Sequence, residues 1–567
     1  MTKRIFVFFT SLFLPLVFAQ SPAYKTGQPL TDVVKTSKKP VASKGKLKVP
    51  LITWGGDVAT IMGEKADLFK QEGLDVEVFV ENNFPKQVEA CLSGETPLLR
   101  GTLGMINSAA EVFQKNGLDL VVIYQMTWSN GGDAMVVRSA KKPGDLKGKS
   151  IALQLYGPHM DYAANILNSA KVPLDQVQFK WLEELTLPTF DTKGKTIDPV
   201  TAFINDSNLD ATMCIIPDAL ALTSGGEVGT GSSGSVKGAR ILLSTKTASR
   251  VISDVYAVRS DYFDANKSQV EKLVHALMKS EEALSDLFAN KAKRQSEYQQ
   301  VMTRAADLLL GAPQAVPDIE ALMGDCEFVG FEGNVSFFTG KGTTRNFDNL
   351  QKEIQSSFKA MGLMRQSVTM KNANWNYQSL AAGLKNVKEV PAAPKFDAQK
   401  VVSKVEKKIS VEPTTWAEEG TLFQIEINFG ANQSDFTESQ YANDYQKAIE
   451  IAETYGGSLI MIEGHSDPLG ILKAKQNGTA QVEISQMEQQ AKNLSLERAD
   501  AVRKSFLSFC KKKGLRIDES QFVAIGMGIT SPKFNPPRTK EEWEANRRVV
   551  FRIKQIEAEL SEFSPLE

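Results

Sequence analysis

Cysteine and histidine are scarce. The 567 residues hold four cysteines, Cys91, Cys214, Cys326 and Cys510, and three histidines. None of the cysteines forms a CxxC pair or lies beside a histidine, so no zinc-type ligand set is legible. The cysteines read as small buried apolar residues, with a bridge through Cys91 or Cys214 left unassigned. GxSxG and HExxH are absent as well, which removes the usual signatures of serine hydrolases and zinc peptidases. The chain is therefore read as a non-enzyme that needs no cofactor. An excess of charge of one sign is also missing: 66 Lys and Arg stand against 67 Asp and Glu, a formal net charge of -1. That balance gives no electrostatic attraction to nucleic acid. Beyond the first 19 residues no apolar run approaches the ~20 residues that span a bilayer.

What is present begins with a sorting signal. Lys3 and Arg4 precede an apolar run from Ile5 to Phe18 that ends in Val17-Phe18-Ala19. This is the pattern of a secretory signal peptide cleaved near Ala19, and no cysteine follows to carry a lipid anchor. The remainder divides by composition into an irregular leader (20–45), a long alternation of short apolar strands and amphipathic helices (46–385), a Lys/Glu/Ala/Val/Pro linker (386–415) and a third alternating unit (416–567). Strands are expected at Leu47–Ile52, Leu74–Val80, Leu120–Tyr124 and Ser150–Leu153, each followed by a loop and a helix, the signature of α/β lobes with largely parallel sheets. Val402, Val405 and Ile409 place one short helix in the linker. In the last unit strands are expected at Leu422–Phe429, Ser458–Glu463, Phe522–Gly526 and Arg548–Ile553, with helices at Tyr441–Thr454 and Leu494–Lys512.

Five elements of that last unit occur in a telling order: Phe429-Gly430-Ala431-Asn432-Gln433-Ser434, Ile462-Glu463-Gly464-His465-Ser466-Asp467, Asn493-Leu494-Ser495-Leu496-Glu497-Arg498-Ala499, Gly526-Met527-Gly528 and Asn546-Arg547-Arg548-Val549. Together they resemble the OmpA-like peptidoglycan-binding domain, an α+β fold of βαβαβ type. A stem peptide carrying diaminopimelate presents an ammonium beside a carboxylate. Its receptor needs an acceptor anion, here Asp467, and a fork-shaped cation, here Arg498, whose two parallel hydrogen bonds Lys does not reproduce. The resemblance implies that Asp467 and Arg498 are the main contacts, with Asn493, Asn546 and Arg547 shaping the pocket. Arg498 is expected in the first turn of its helix, held off the apolar face of Ala499, Val502, Phe506 and Phe509. The segment 468–492 is longer than the family's usual loop and reads either as a solvated excursion or as a cover over the pocket. His465 has no second metal-type ligand near it in sequence and reads as structural.

The long unit resembles the periplasmic substrate-binding proteins of ABC importers, in the nitrate, sulfonate and thiamine-precursor branch. Trp54-Gly55-Gly56-Asp57, the passage from Glu64 to Asp75, Leu146 to Ala152 followed by Tyr156-Gly157-Pro158-His159, and Asp210 to Asp218 carry the likeness. It implies a two-lobed type II binding-protein fold. In such folds loops at strand C-terminal ends converge on a crevice, which places Trp54, Asp57, Asn107, Ser108, Trp128, Tyr156, His159 and Asp218 around a small solute, with Trp181, Glu183 and Glu184 as further candidates. The combined expectation is a periplasmic solute receptor held non-covalently on peptidoglycan and serving an ABC permease or a fixed envelope complex. Two other classes stay open: a structural envelope protein whose binding module recruits a partner instead of a solute, and an enzyme built on the same fold.

Overall fold

The computed structural model describes residues 22–41, 45–186, 189–232, 234–387, 421–428 and 441–554. The signal segment, the linker helix expected around Val402 and the element from Phe429 to Ser434 lie outside the described residues.

Alternating apolar residues make the first strands: β1 (Leu47–Leu51), β2 (Val76–Val80), β3 (Leu98–Thr102) and β4 (Leu120–Ser129). β4 is buried along its whole length, so its pattern is a continuous apolar run. The chain then crosses into a second sheet of β5 (Asp133–Val137), β6 (Ser150–Gln154), β7 (Gln178–Leu182), β8 (Ala211–Ile215) and β9 (Arg240–Ser244), and returns with β10 (Ser253–Arg259). In the second sheet the order is β7-β6-β8-β5-β9. β6 runs parallel to β7 and β8, whereas β5, the strand entering from the other lobe, is antiparallel to β8 and β9. The first lobe repeats this logic. β1 is parallel to β2, and the returning β10 is antiparallel to β3 and β4. Two lobes that exchange one antiparallel strand each, joined by two crossings, are the two-lobed arrangement expected for the long unit, but the sheets are mixed and not largely parallel, because the crossing strands pair antiparallel.

The crossings are tied together. Ser129 Oγ donates to Asp133 Oδ2 at 2.6 Å and lies 2.8 Å from Thr245 Oγ1. Thr245 Oγ1 in turn accepts from the Gly131 and Asp133 amides, both at 3.1 Å. A Cβ on Gly132 would sit 2.5 Å from the Trp54 ring, which explains glycine at the hinge.

The leader is ordered from residue 22 to 41 and spans both lobes. Lys25 N donates to Trp181 O at 2.8 Å, Tyr24 Oη to Asp206 Oδ2 at 2.7 Å, and Tyr156 Oη to Gln28 O at 2.7 Å, all on the second lobe. The chain then packs the Leu30–Val33 helix against the Leu103–Lys115 helix of the first lobe and donates from Lys39 N to Leu92 O at 2.8 Å.

The C-terminal unit is a four-stranded sheet of β13 (Thr421–Asn428), β14 (Leu459–His465), β15 (Phe522–Gly528) and β16 (Arg548–Lys554) in the order β13-β16-β14-β15. The numbering passes over the short β11 (Cys326–Phe328) and β12 (Lys371–Asn372), which pair with β4. Helices Ala442–Thr454 and Gln481–Lys512 supply its apolar layer, with Phe506 at 5.6 Å from the Tyr445 ring and 5.5 Å from Phe551. Each such fully buried aromatic contributes roughly 1.5–3 kcal/mol. The long helix begins at Gln481, not at Leu494, and Leu469–Gln476 is a further helix. The segment 468–492 is therefore helical, not a solvated loop, and Arg498 lies mid-helix instead of in a first turn. Helix-terminal amides do not reach it.

The C-terminal unit docks against the lobes. Gly457 N donates to Thr247 O at 3.2 Å, and a Cβ on Gly457 would lie 1.7 Å from Lys246 O. Tyr455 is fully buried and donates to Asn165 Oδ1 at 3.2 Å on the second lobe. Arg516 Nη2 reaches Glu332 Oε1 at 2.8 Å and Arg516 N donates to Gly342 O at 2.9 Å, on the helices that follow the first lobe. All four cysteines are free, and Cys91, Cys214 and Cys510 are buried.

Candidate functional sites

The residues expected around a solute are brought to the interlobe region, but most are occupied by partners from this chain. Asp57, in the first turn of the Asp57–Lys65 helix after β1, is fully buried. Arg100 on β3 grips it through Nε at 3.1 Å and Nη2 at 2.7 Å and extends Nη1 to Asp254 Oδ1 at 2.9 Å. Burial raises the Asp57 carboxyl to about 6, with Arg100 opposing the rise. Thr127 Oγ1 donates to Asp254 Oδ2 at 3.1 Å and accepts from Trp54 Nε1 at 3.1 Å, which completes a buried chain of polar groups. Asn107 donates to Leu103 O at 2.8 Å and accepts from Gln355 Nε2 at 2.8 Å, and Ser108 donates to Met105 O at 2.7 Å. Asn107 therefore joins two helices, and Ser108 closes on its own helix. Trp128 meets Phe337 edge-on at 5.9 Å under the Arg250 guanidinium.

On the second lobe His159 is fully buried with Nε2 2.7 Å from Asp133 Oδ1. Tyr156 carries a positive φ of 59° and is capped by the leader. Asp218 has a buried Oδ2 without a partner, and burial, reinforced by Asp198, raises its carboxyl to about 6. Trp181 stacks on Phe179 at 5.5 Å, and Glu183 pairs with Lys25 of the leader at 2.7 Å. Burial, then Glu183, raises the Glu184 carboxyl.

Sequence reasoning missed Asp161. It lies in the first turn of the Met160–Ser169 helix of the second lobe and presses on the start of the Leu103–Lys115 helix of the first. A Cβ on Gly104 would lie 2.6 Å from its Oδ1, so glycine is required there. A helix N-terminus is where a bound anion is favoured, and here the chain supplies its own carboxyl. No other side chain bonds its carboxyl, and burial raises the group to about 8, opposed by the Asp161 and Tyr162 amides. An acidic residue in a first turn is too common a pattern to have marked it.

The sign of the resulting pH effect follows from proton counting. Between the ordinary carboxyl value and about 8, the folded chain holds a proton on Asp161 that the unfolded chain has lost. This contribution to stability is present at low pH and declines as pH rises through that window. Asp161→Asn should remove the decline: thermal melts at pH 5 and pH 8 should show the variant gaining on wild type by roughly a few degrees at pH 8. An identical pH slope in both proteins would contradict the assignment.

In the C-terminal unit the expected residues meet in two pairs, with one exception. Asp467 follows β14 and accepts from Asn546 Nδ2 at 3.4 Å. Asn546 is fully buried, and its Oδ1 accepts from the Lys533 and Phe534 amides at 2.7 and 2.9 Å, so it pins the loop before the last strand as well as touching Asp467. Arg547 follows it with a buried Nε that has no partner. Arg498 is partly buried; desolvation, then repulsion from Arg547, pushes its guanidinium below the ordinary arginine value. Among the described residues no carboxylate forms an ion pair with Arg498 or Arg547. Asn493 is the exception: it is exposed and accepts from Gln489 Nε2 at 2.8 Å on its own helix. His465 is buried 3.6 Å from Glu463, and burial lowers its pKa.

The glycines of the motif bring the long helix against the sheet. A Cβ on Gly464 would lie 1.9 Å from Ser495 O, and one on Gly526 would lie 2.5 Å from Lys492 O. That close approach sets Arg498 beside the ends of β14 and β16.

Comparison with known proteins bears on the lobes. No curated protein matches the chain. Among solved structures, the periplasmic aliphatic sulphonate binding protein SsuA from Escherichia coli is 15% identical over 62% of this chain and 99% of its own, with a TM-score of 0.38. The periplasmic nitrate-binding protein NrtA from Synechocystis PCC 6803 is 12% identical over 61% of this chain and 90% of its own, with a TM-score of 0.41. Residues 58–286, which hold most of both lobes, match the family model described as NMT1/THI5 like.

Proposed function

We propose that this chain is an exported envelope protein whose C-terminal unit grips the diaminopimelate centre of peptidoglycan and so holds a periplasmic solute-binding module on the wall. The observation that carries the reading is the pair Arg498 and Arg547, whose guanidinium groups repel each other, next to Asn546, whose amide reaches Asp467 at 3.4 Å. In this scheme Arg498 takes the carboxylate through two hydrogen bonds and Asp467 takes the ammonium, while Asn546 fixes the carboxylate of Asp467. The family match over residues 58–286 supports the solute-binding half, and an ABC permease or a fixed envelope complex is the partner such a module would serve. The signal peptide expected at 1–19 directs the chain to the periplasm.

The test is co-sedimentation of the mature protein with insoluble peptidoglycan. Wild type should pellet, Arg498→Ala and Asp467→Ala should stay in the supernatant, and Arg498→Lys should recover little, because a point charge lacks the bidentate fork. Pelleting of folded Arg498→Ala at the wild-type level would refute the reading.

A second reading is favoured by the state of the cleft. With Asp161 of the second lobe set against Gly104 of the first and the leader laid over Tyr156, the lobes are held together by this chain's own groups. That arrangement suits a module that recruits an envelope partner and no longer cycles solute.

A further inference from the structure

We propose that the space between the edge strand of the C-terminal sheet and the second lobe is a separate binding site, for a small molecule carrying two or more phosphate or carboxylate groups. The cavity measures about 1450 Å3 and lies between β13, the Ala442–Thr454 helix, the Met160–Ser169 helix and the Phe347–Ala360 helix. Among its lining side chains eight are Lys or Arg and four Asp or Glu, whereas over the whole chain the two signs balance. The local excess is therefore a property of this place.

Two of the cations are built in. Arg345 and Arg548 are 7% and 9% exposed, and Arg345 Nη2 and Arg548 Nη1 are buried without a hydrogen-bond partner. Three of their other nitrogens are committed: Arg345 Nη1 to Glu353 Oε2 at 2.7 Å, Arg345 Nε to Arg250 O at 2.9 Å, and Arg548 Nη2 to Ser531 O at 3.0 Å. A buried guanidinium nitrogen with no acceptor is expensive unless an anion completes it. Lys533 and Arg552 are already paired with Glu426 and Glu463, but Lys352 and Lys447 stand exposed with no ion pair among the described residues. A single negative charge leaves most of this excess standing. An anion with several charges meets Arg345 from the lobes and Arg548 from the C-terminal unit at once, so it fastens the two units together. The site shares no residue with the Asp467 and Arg498 pocket.

Titration calorimetry of the mature full-length protein with inorganic pyrophosphate and with citrate, at matched ionic strength, tests the proposal and separates phosphate from carboxylate ligands. At least one should bind saturably at one site per chain, and orthophosphate should bind much more weakly. Lys352→Gln combined with Lys447→Gln, both exposed on helices and harmless to folding, should weaken binding about tenfold, while Arg498→Ala should leave it unchanged. No saturable binding of either anion, equal binding of orthophosphate, or full affinity in the double lysine variant would each overturn the proposal.

Discussion

Arg100→Ala should be the most damaging single substitution in the lobes. Arg100 is fully buried between Asp57 and Asp254, and its removal leaves two carboxyls facing each other in a dry interior. Breaking a buried pair by taking one partner away costs about 3–5 kcal/mol, a large part of the 5–15 kcal/mol by which domains are stable. Denaturant melts of the mature chain should show the lobe transition moving to much lower denaturant. The loss should be smaller at pH 5 than at pH 7, because the stranded carboxyls are neutral at the lower pH. A midpoint within error of wild type would mean that the Asp57, Arg100 and Asp254 cluster is not the internal brace described above.

The second large effect belongs to the C-terminal unit. Gly464→Ala should cost about 3 kcal/mol, at the upper end of overpacking penalties, because the new methyl would meet the Ser495 backbone carbonyl at 1.9 Å and not a flexible side chain. The Gln481–Lys512 helix must then lift from the sheet and carry Arg498 with it. Loss of wall binding should accompany the loss of stability. Gly470→Ala, which meets nothing within 4 Å, is the control and should pellet like wild type. Equal behaviour of the two variants would remove the close approach as the device that positions Arg498.

The parts of this molecule legible in its sequence are those with a local period or a local motif. β1, β4, β6 and all four C-terminal strands fall where alternation or an apolar run put them, and Ala499, Val502 and Phe506 are buried as their spacing requires. Asn546 meets Asp467 and Arg498 lies close enough to Arg547 for their charges to repel, contacts that follow from the glycines at which helix and sheet approach closely. The turns of that helix from Gln481 to Asn493 were not legible: they bury only Ile484, and a helix without an apolar face looks like a polar loop. The interlobe groups were misread for a different reason. Asp57 meets Arg100 across 43 residues and Arg100 meets Asp254 across 154, and no short-range pattern announces such a partner. A carboxyl that will be neutralised internally has the same sequence appearance as one awaiting a ligand. The leader is the third case, since an irregular backbone has no period and only the fold reveals that it crosses both lobes.

The central claim concerns what the C-terminal pocket holds, and the most direct measurement is the affinity of the mature protein for two soluble stem peptides. They would differ only at the third residue, meso-diaminopimelate in one and lysine in the other. Both carry the ammonium for Asp467, but only the first carries the carboxylate for Arg498. The account predicts that the diaminopimelate peptide binds at least about tenfold more tightly, the loss expected when a charge-assisted bidentate contact is removed, and that Arg498→Ala erases the difference. Equal affinity for the two peptides in the wild-type protein would contradict it.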